Sequence, residues 1–85
     1  MGNKKIRYFI KNIGPLTKRE SEVLLLVAEG KNNHEIAEEL VISESTSKAH
    51  VCSIMHKLGA ADRIKAVNAA IILGILVLEQ PITNH

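Results

Sequence analysis

Residues 33–58 read NHEIAEELVISESTSKAHVCSIMHKL, and they predict two helices joined by a short turn. Ile36, Ala37 and Leu40 recur at helical spacing, so they form the apolar stripe of a short helix. Ser43 can cap the longer helix that follows, because its hydroxyl can accept a hydrogen bond from a free N–H group of the first turn. A short helix, a turn of about three residues and a longer helix have the dimensions of a helix-turn-helix unit.

The longer helix is predicted to turn one side to the core and to expose a side with positive charge. The core side carries Ser47, Val51, Ile54 and Leu58. The opposite side carries Ser45, Ala49, Cys52 and His56, with Lys48 and Met55 on one flank and Thr46, Ser53 and Lys57 on the other. Short side chains permit close approach to a DNA major groove, and lysines can meet phosphates or guanine edges. An ordinary solvated helix face is the alternative.

One further helix is predicted on each side of this pair. Thr17 and Glu20 form a capping box that opens the first helix, which Gly30 stops. Asp62 caps the fourth helix, which runs to about Leu73. No alternation of apolar and polar residues is long enough to predict a strand. The predicted fold class is therefore all-α, with four helices and the third as the recognition helix.

The same signals divide the chain into three segments. Residues 1–15 show no sustained period and end in Gly14-Pro15, which is typical of a turn, so they are predicted to be an N-terminal arm or linker. Residues 16–78 are predicted to form the helix-turn-helix domain, and residues 79–85 a C-terminal tail.

Composition excludes several classes of protein. A chain of 85 residues is one small domain or a fragment of a larger protein, with little core to spare for a deep catalytic pocket. Tyr8 and Phe9 are its only aromatic residues, too few for a surface that stacks single-stranded bases. Cys52 is the only cysteine, so no internal disulfide forms. No apolar run is long enough to span a membrane, and a cytoplasmic location without a membrane partner is expected.

Charge is unevenly distributed along the chain. The net charge is only +2, but residues 18–44 carry mostly acids, whereas residues 45–65 carry four bases against Asp62 alone. A basic segment beside an acidic one is compatible with binding a polyanion on one face.

Motifs in the same order and at the same spacing make the chain resemble the LuxR/NarL-type helix-turn-helix domain. They are Leu16 to Glu20 (LTKRE), Glu22 to Leu24 (EVL), Glu29-Gly30, Asn33, Glu35 to Ala37 (EIA), Leu40, Ile42-Ser43, Thr46, Lys48, His50, Ile54, Lys57 to Gly59, Arg63 and Ala66-Val67. Members of that family are bacterial transcription factors of four helices. The third helix reads the major groove, and the fourth commonly supports dimerisation.

The resemblance implies which residues would contact DNA. It places Lys48, Ala49 and Cys52 at base-facing positions, and Ser45 lies on the same exposed side. It places Thr46, His50 and Lys57 where such domains hold the phosphate backbone or brace the helix, and Asn33 near a helix N-terminus that can also meet a phosphate.

Two residues depart from the family pattern. Ser47 stands where valine is usual, so it should pack less well and is predicted to bond back to the carbonyl four residues earlier. His34 stands where lysine or arginine is common, which makes one phosphate contact dependent on pH.

The apolar run at 69–78 predicts a partner surface on the fourth helix. One face of this helix closes the core, and its other apolar side chains would be exposed to water in a monomer. Ala69, Ile72, Leu73 and Leu76 are the predicted contacts of a homodimer. Contact with a further domain of a larger regulator is the alternative.

Other chemistry is weakly supported. Cys52 and His56 are spaced as two metal ligands, but a structural zinc site needs four, so no metal and no cofactor are predicted. Cys52 could also act as a redox gate, although a small unreactive residue is favoured. The chain offers neither a Gly-rich phosphate loop nor a catalytic triad, so it is not predicted to be an enzyme.

The predicted function is therefore sequence-specific binding of double-stranded DNA, as a homodimer on paired half-sites, to regulate transcription. RNA polymerase is a further candidate partner. The alternative is a helical dimerisation module that modulates a related regulator without binding DNA itself.

Overall fold

The computed structural model describes residues 7–79, which form four helices and two short strands. In chain order these are β1 (Arg7–Ile10), α1 (Lys18–Ala28), α2 (Asn33–Leu40), α3 (Glu44–Leu58), α4 (Arg63–Ile72) and β2 (Leu76–Glu79). The prediction of a four-helix fold is confirmed. Residues 1–6 of the predicted arm and 80–85 of the predicted tail lie outside the described residues.

Each helix begins directly after a capping residue, as the sequence predicts for α1, α3 and α4. Thr17 and Glu20 bond reciprocally at the start of α1, with Glu20 N 3.1 Å from Thr17 Oγ1 and Thr17 N 2.9 Å from Glu20 Oε1. Asn32 and Glu35 form a second capping box at α2. Single caps open α3 and α4, from Ser43 and Asp62 respectively.

The core lies where α3 packs against the other three helices. Its fully buried members include Val23 and Leu24 of α1, Ile36 of α2 and Ala70 of α4. The α3 side chains that face them are Ser47, Val51 and Ile54, as the helical wheel predicts.

The prediction that no segment forms a strand is wrong. β1 and β2 pair antiparallel, with Arg7 opposite Glu79 and Ile10 opposite Leu76, so β1 lies within the predicted arm. A bond from Lys11 N to Ile75 O extends this pairing beyond the strand ends, and a bond from Leu16 N to Ile13 O closes the turn that leads to α1. Four-residue strands are too short for an alternating pattern to stand out, and each strand finds its partner only after the chain has folded.

The predicted end of α4 is confirmed, but the chain then departs from the predicted surface. Ile72 is the last helical residue, and Gly74 adopts a φ of +77°, a left-handed conformation that glycine accepts without a steric penalty. This turn carries Ile75 and Leu76 into the core, where each is 1% exposed. Leu76 is therefore a core residue of the single chain, and its assignment to a dimer interface is corrected.

Ser47 places a polar side chain in the apolar core. Its side chain is fully buried, and its hydroxyl has no hydrogen-bond partner among residues 7–79, so the predicted bond back to a carbonyl is absent. A buried hydroxyl without a partner costs about 1–3 kcal/mol, since it has lost its water and gained nothing in return.

We expect Ser47→Val to raise the free energy of unfolding by about 1–2 kcal/mol, because it removes the unpaired hydroxyl and adds buried methyl groups. Thermal unfolding followed by circular dichroism should show an increase in Tm of roughly 4–8 °C per kcal/mol. Ser47→Ala is the matched control, since it removes the hydroxyl without adding volume, and it should give a smaller gain. Unchanged or lower Tm values in both variants would contradict this account of Ser47.

Candidate nucleic-acid interface

The exposed side of α3 carries small and cationic side chains. Ser45, Thr46, Lys48, Ala49, Cys52 and His56 are exposed, and His50 is half-buried. Glu44 in the first turn is the only acid in the helix. This side can approach a polyanion closely, because its short side chains leave the helix backbone accessible and no carboxylate follows Glu44.

A groove between α2 and α3 brings three predicted site residues together: Asn33, Ser45 and Lys48. It has a volume of about 410 Å³ and is lined by Asn33, Glu44, Ser45 and Lys48. Asn33 begins α2, whose first-turn N–H groups carry partial positive charge. The groove therefore joins a helix N-terminus to the Lys48 side of α3.

Arg63 ties α4 to the start of α2. Its guanidinium donates to the Lys31 carbonyl at 3.2 Å and to Asn33 Oδ1 at 3.5 Å. These bonds hold the Asn33 side chain and the Lys31 backbone against the start of α4.

The cap of α3 organises two hydroxyls at the edge of this surface. Ser43 Oγ accepts from Thr46 N at 3.0 Å and donates to Thr46 Oγ1 at 2.8 Å, and it lies 3.2 Å from Ser45 Oγ. Thr46 accepts in this pair, so it keeps its own hydroxyl proton for another oxygen.

Lys57 is engaged at the other end of α3. Its Nζ donates to Glu20 Oε1 at 2.8 Å, and Ser53 Oγ donates to Glu20 Oε2 at 2.6 Å. Glu20 is 5% exposed, so this is a largely buried charge paired across α1 and α3. Of the two roles that the sequence left open for Lys57, the geometry favours the brace.

The partners of Glu20 also decide its protonation. Burial alone would raise the pKa of this carboxyl, but the hydrogen bonds from Lys57, Ser53 and the Thr17 backbone, with the Lys57 charge, outweigh it. Together they lower the Glu20 pKa from 4.5 to about 2. The carboxylate is therefore the stable form throughout the neutral and mildly acidic range.

Two features of this region are missing from the sequence-based predictions, although the spacing of His34 and Glu38 by four residues on α2 is a signal for the first. His34 lies between two carboxylates, 3.3 Å from Glu38 and 3.2 Å from Glu44. Val41, in the turn between α2 and α3, adopts a φ of 57° although it is β-branched, and its side chain is 88% exposed. Such a backbone conformation costs about 1–3 kcal/mol outside glycine.

Cys52 is a free, exposed thiol. Among residues 7–79, no group of three or more His, Cys, Asp and Glu side chains is arranged to hold a metal ion. Over the same residues, every helix is too short or too polar to cross a membrane.

The Glu20 cluster makes stability depend on pH in a defined window. The pKa of Glu20 is about 4.5 in the unfolded chain and about 2 in the folded one. The stabilisation that Glu20 contributes is therefore fully present above pH 4.5 and is lost as pH falls toward 2. We expect Glu20→Gln to lower stability at pH 7 by about 2–3 kcal/mol and to weaken the loss between pH 5 and pH 2.

Urea unfolding at several pH values measures this difference. Glu22→Gln is the matched control, because Glu22 pairs with Arg19 on the exposed side of the same helix and leaves the cluster intact. Equal losses of stability in wild type and Glu20→Gln would contradict the assignment.

Comparison with known proteins places this fold and surface in one family. A family model described as bacterial regulatory proteins, luxR family, matches residues 14–70. The transcriptional regulatory protein LiaR of Bacillus subtilis (strain 168) is 55% identical over 51 residues, which cover 60% of this chain and 24% of LiaR. The chain thus spans about a quarter of the length of LiaR and of comparable relatives.

Solved structures agree with the sequence match. The structure of the transcription factor GerE has a TM-score of 0.66 and 34% identity, covering 69% of this chain and 88% of GerE. A Vibrio cholerae VqmA dimer, in the absence of target DNA, has a TM-score of 0.63 and 28% identity, covering 80% of this chain and 36% of VqmA.

The matched residues 14–70 make up more than half of the chain and contain the whole helix-turn-helix unit. That match confirms the resemblance drawn from the sequence motifs. The chain therefore belongs to the luxR family of bacterial regulatory proteins, which are DNA-binding transcriptional regulators with a helix-turn-helix domain and not enzymes.

Proposed function

We propose that this domain reads double-stranded DNA with α3, as a homodimer on paired half-sites, and thereby regulates transcription. The observation that carries the proposal is the exposed side of α3, where Lys48 and short side chains lie beside the N-terminus of α2. The proposed DNA-binding unit is residues 16–78, to which strand β1 adds a pairing partner for β2.

Base contacts are assigned to Lys48, Ala49 and Cys52, which share the exposed side of α3. A lysine can donate to the acceptor atoms of guanine, and an alanine methyl group can contact a thymine methyl group. Cys52 is small enough to let the helix backbone approach the bases.

Phosphate contacts are assigned to the residues that surround this surface: Asn33, Ser45, Thr46 and His50. The Thr46 hydroxyl keeps a proton to donate, and the N-terminus of α2 offers backbone N–H groups. Lys57 is proposed as a brace instead, because its ammonium is already bound to Glu20.

The proposed dimer surface is the exposed end of α4. Ile72 is 83% exposed and Leu73 is 58% exposed, while Ala69 on the preceding turn is half-buried. Adjacent apolar side chains left in water favour association with a second copy, since burial removes them from solvent. VqmA, one of the similar structures, is a dimer, which supports the pairing of two copies.

The exposed apolar end of α4 also favours a second candidate function. A helical module could pair through α4 with a related regulator and withhold it from DNA. The two candidates differ in the partner that α4 binds and in whether α3 itself contacts DNA. For the DNA-binding function we expect a cytoplasmic location, and RNA polymerase is the partner through which a bound dimer would act.

Selection from random-sequence duplex DNA tests the role of α3. We expect a palindrome to be enriched, and Lys48→Ala to relax the preference at one symmetric position, since a lysine on guanine contributes about 1–3 kcal/mol of discrimination. No enrichment and negligible binding at low salt under reducing conditions would favour the interaction module.

Salt dependence separates Lys57 from a phosphate-contacting lysine. Each phosphate that a protein neutralises contributes about −0.9 to the slope of log K against log salt. Since Lys57 is proposed to contact Glu20 and no phosphate, Lys57→Met should leave this slope unchanged and should lower Tm. In Glu20→Gln/Lys57→Met, which removes both charges, part of the Tm should return. A shallower slope in Lys57→Met, by about one phosphate contact, would contradict the brace.

The dimer surface is tested by Ile72→Ser/Leu73→Ser. We expect the double variant to sediment as a monomer at concentrations where wild type is a dimer, and its affinity for the palindrome to fall at least tenfold while its Tm changes little, because both side chains are exposed. Ile64→Ser is a matched control, since Ile64 is an equally exposed isoleucine at the start of α4. Retention of a dimer in the double variant would place the interface elsewhere.

A further inference from the structure

The His34 ring links α2 to α3 across the turn between them. Its Nε2 lies 3.3 Å from Glu38 Oε2, one turn further along α2, and its Nδ1 lies 3.2 Å from Glu44 Oε2 in the first turn of α3. All three side chains are exposed by more than half, so the ring can exchange protons with solvent.

The chemistry of the ring makes this arrangement dependent on its proton. A carboxylate only accepts hydrogen bonds, and a neutral imidazole has one N–H donor and one acceptor nitrogen. A neutral ring can therefore serve Glu38 or Glu44 but not both, because its second nitrogen would face a carboxylate with a lone pair. The protonated ring donates from both nitrogens and satisfies both carboxylates.

Glu44 has a second possible partner in Lys48. The two residues are four apart on α3, with the glutamate N-terminal to the lysine, which is the favourable order for an ion pair on a helix. Both side chains line the groove that also contains Asn33 and Ser45. Within residues 7–79, however, Glu44 pairs with His34, and no ion pair joins it to Lys48.

We propose that His34 is a positioning residue for Lys48: its protonated ring holds the Glu44 carboxylate away from the lysine, so that DNA affinity rises as pH falls from 8 to 6. As pH rises, the neutral ring can donate to only one of the two carboxylates. Whenever it donates to Glu38, Glu44 is free to pair with Lys48, and DNA must then displace that carboxylate. The inference rests on the proposed contact between Lys48 and DNA.

The charged groups around His34 agree with this direction. Glu38 on α2 and Glu44 on α3 face its two nitrogens, so the ring has a carboxylate on each side. The next carboxylate of α2, Glu35, is occupied by the Asn32 backbone at 2.8 Å. Histidine as a residue type changes charge between about pH 5 and pH 8, which covers the proposed range.

The test is the affinity for a selected palindromic duplex at constant ionic strength, by fluorescence anisotropy between pH 6 and pH 8. We expect wild type to bind DNA about two- to fivefold more tightly at pH 6 than at pH 8, after any change that His34→Gln also shows has been subtracted. A factor of this size corresponds to the energy of an exposed ion pair. His34→Lys, which keeps a cation at all these pH values, should bind as tightly at pH 8 as wild type does at pH 6.

Two further variants distinguish positioning from direct attraction of DNA by His34. Glu44→Gln removes the competing carboxylate, and Lys48→Met removes the side chain that His34 is proposed to release. In both variants, DNA affinity should no longer show the increase from pH 8 to pH 6 that depends on His34. If that part persists in Glu44→Gln, the His34 charge acts on phosphate directly and the positioning role is overturned.

The remaining outcomes are also decisive. Equal pH dependence in wild type and His34→Gln would assign it to other groups, such as His50 or His56, and would overturn the inference alone. If Lys48→Met costs no affinity at any pH, the proposed base contact itself fails and the inference fails with it. Thermal unfolding of each variant at both pH values confirms that the compared proteins are folded.

Discussion

The buried carboxylate of Glu20 is the constraint on which the orientation of α3 depends. Its oxygens accept hydrogen bonds from Thr17 N at 2.9 Å, Ser53 Oγ at 2.6 Å and Lys57 Nζ at 2.8 Å. A carboxylate removed from water is stable only with such partners, so α1 and α3 must keep one separation and one relative rotation. With Ser53 and Lys57 turned toward Glu20, the side of α3 that carries Lys48 is turned to solvent.

The two ends of α3 are held by different kinds of interaction. Near its C-terminus, Lys57 meets a buried charge, and an interaction of this kind is little affected by dissolved salt. Near its N-terminus, hydrogen bonds from Ser43 and the exposed ring of His34 hold the helix, and exposed charges there respond to salt and protons. The recognition helix thus has a rigid end that sets its direction and a solvent-exposed end that can be adjusted by its surroundings.

Features whose partners are close in sequence could be predicted, and features whose partners are distant could not. The Thr17–Glu20 capping box lies within four consecutive residues, so the sequence alone defines it. Lys57 finds Glu20 thirty-seven positions away, and its spacing on α3 is equally compatible with a phosphate contact. The end of α4 near Leu73 could be predicted, but the run at 69–78 is apolar on every side, so its pattern does not show that the chain beyond this end carries Leu76 into the core.

The pairing of β1 with β2 joins the two ends of the described chain, with Arg7 opposite Glu79. Closing so long a loop has a large entropic cost, and the strands themselves are only four residues each. Helical turns form from local contacts and do not bear that cost. The strand pair is therefore expected to assemble after the helices have packed and brought its two halves within reach. The strand pair thus closes over a helical core that has already formed, although β1 comes before every helix in the sequence.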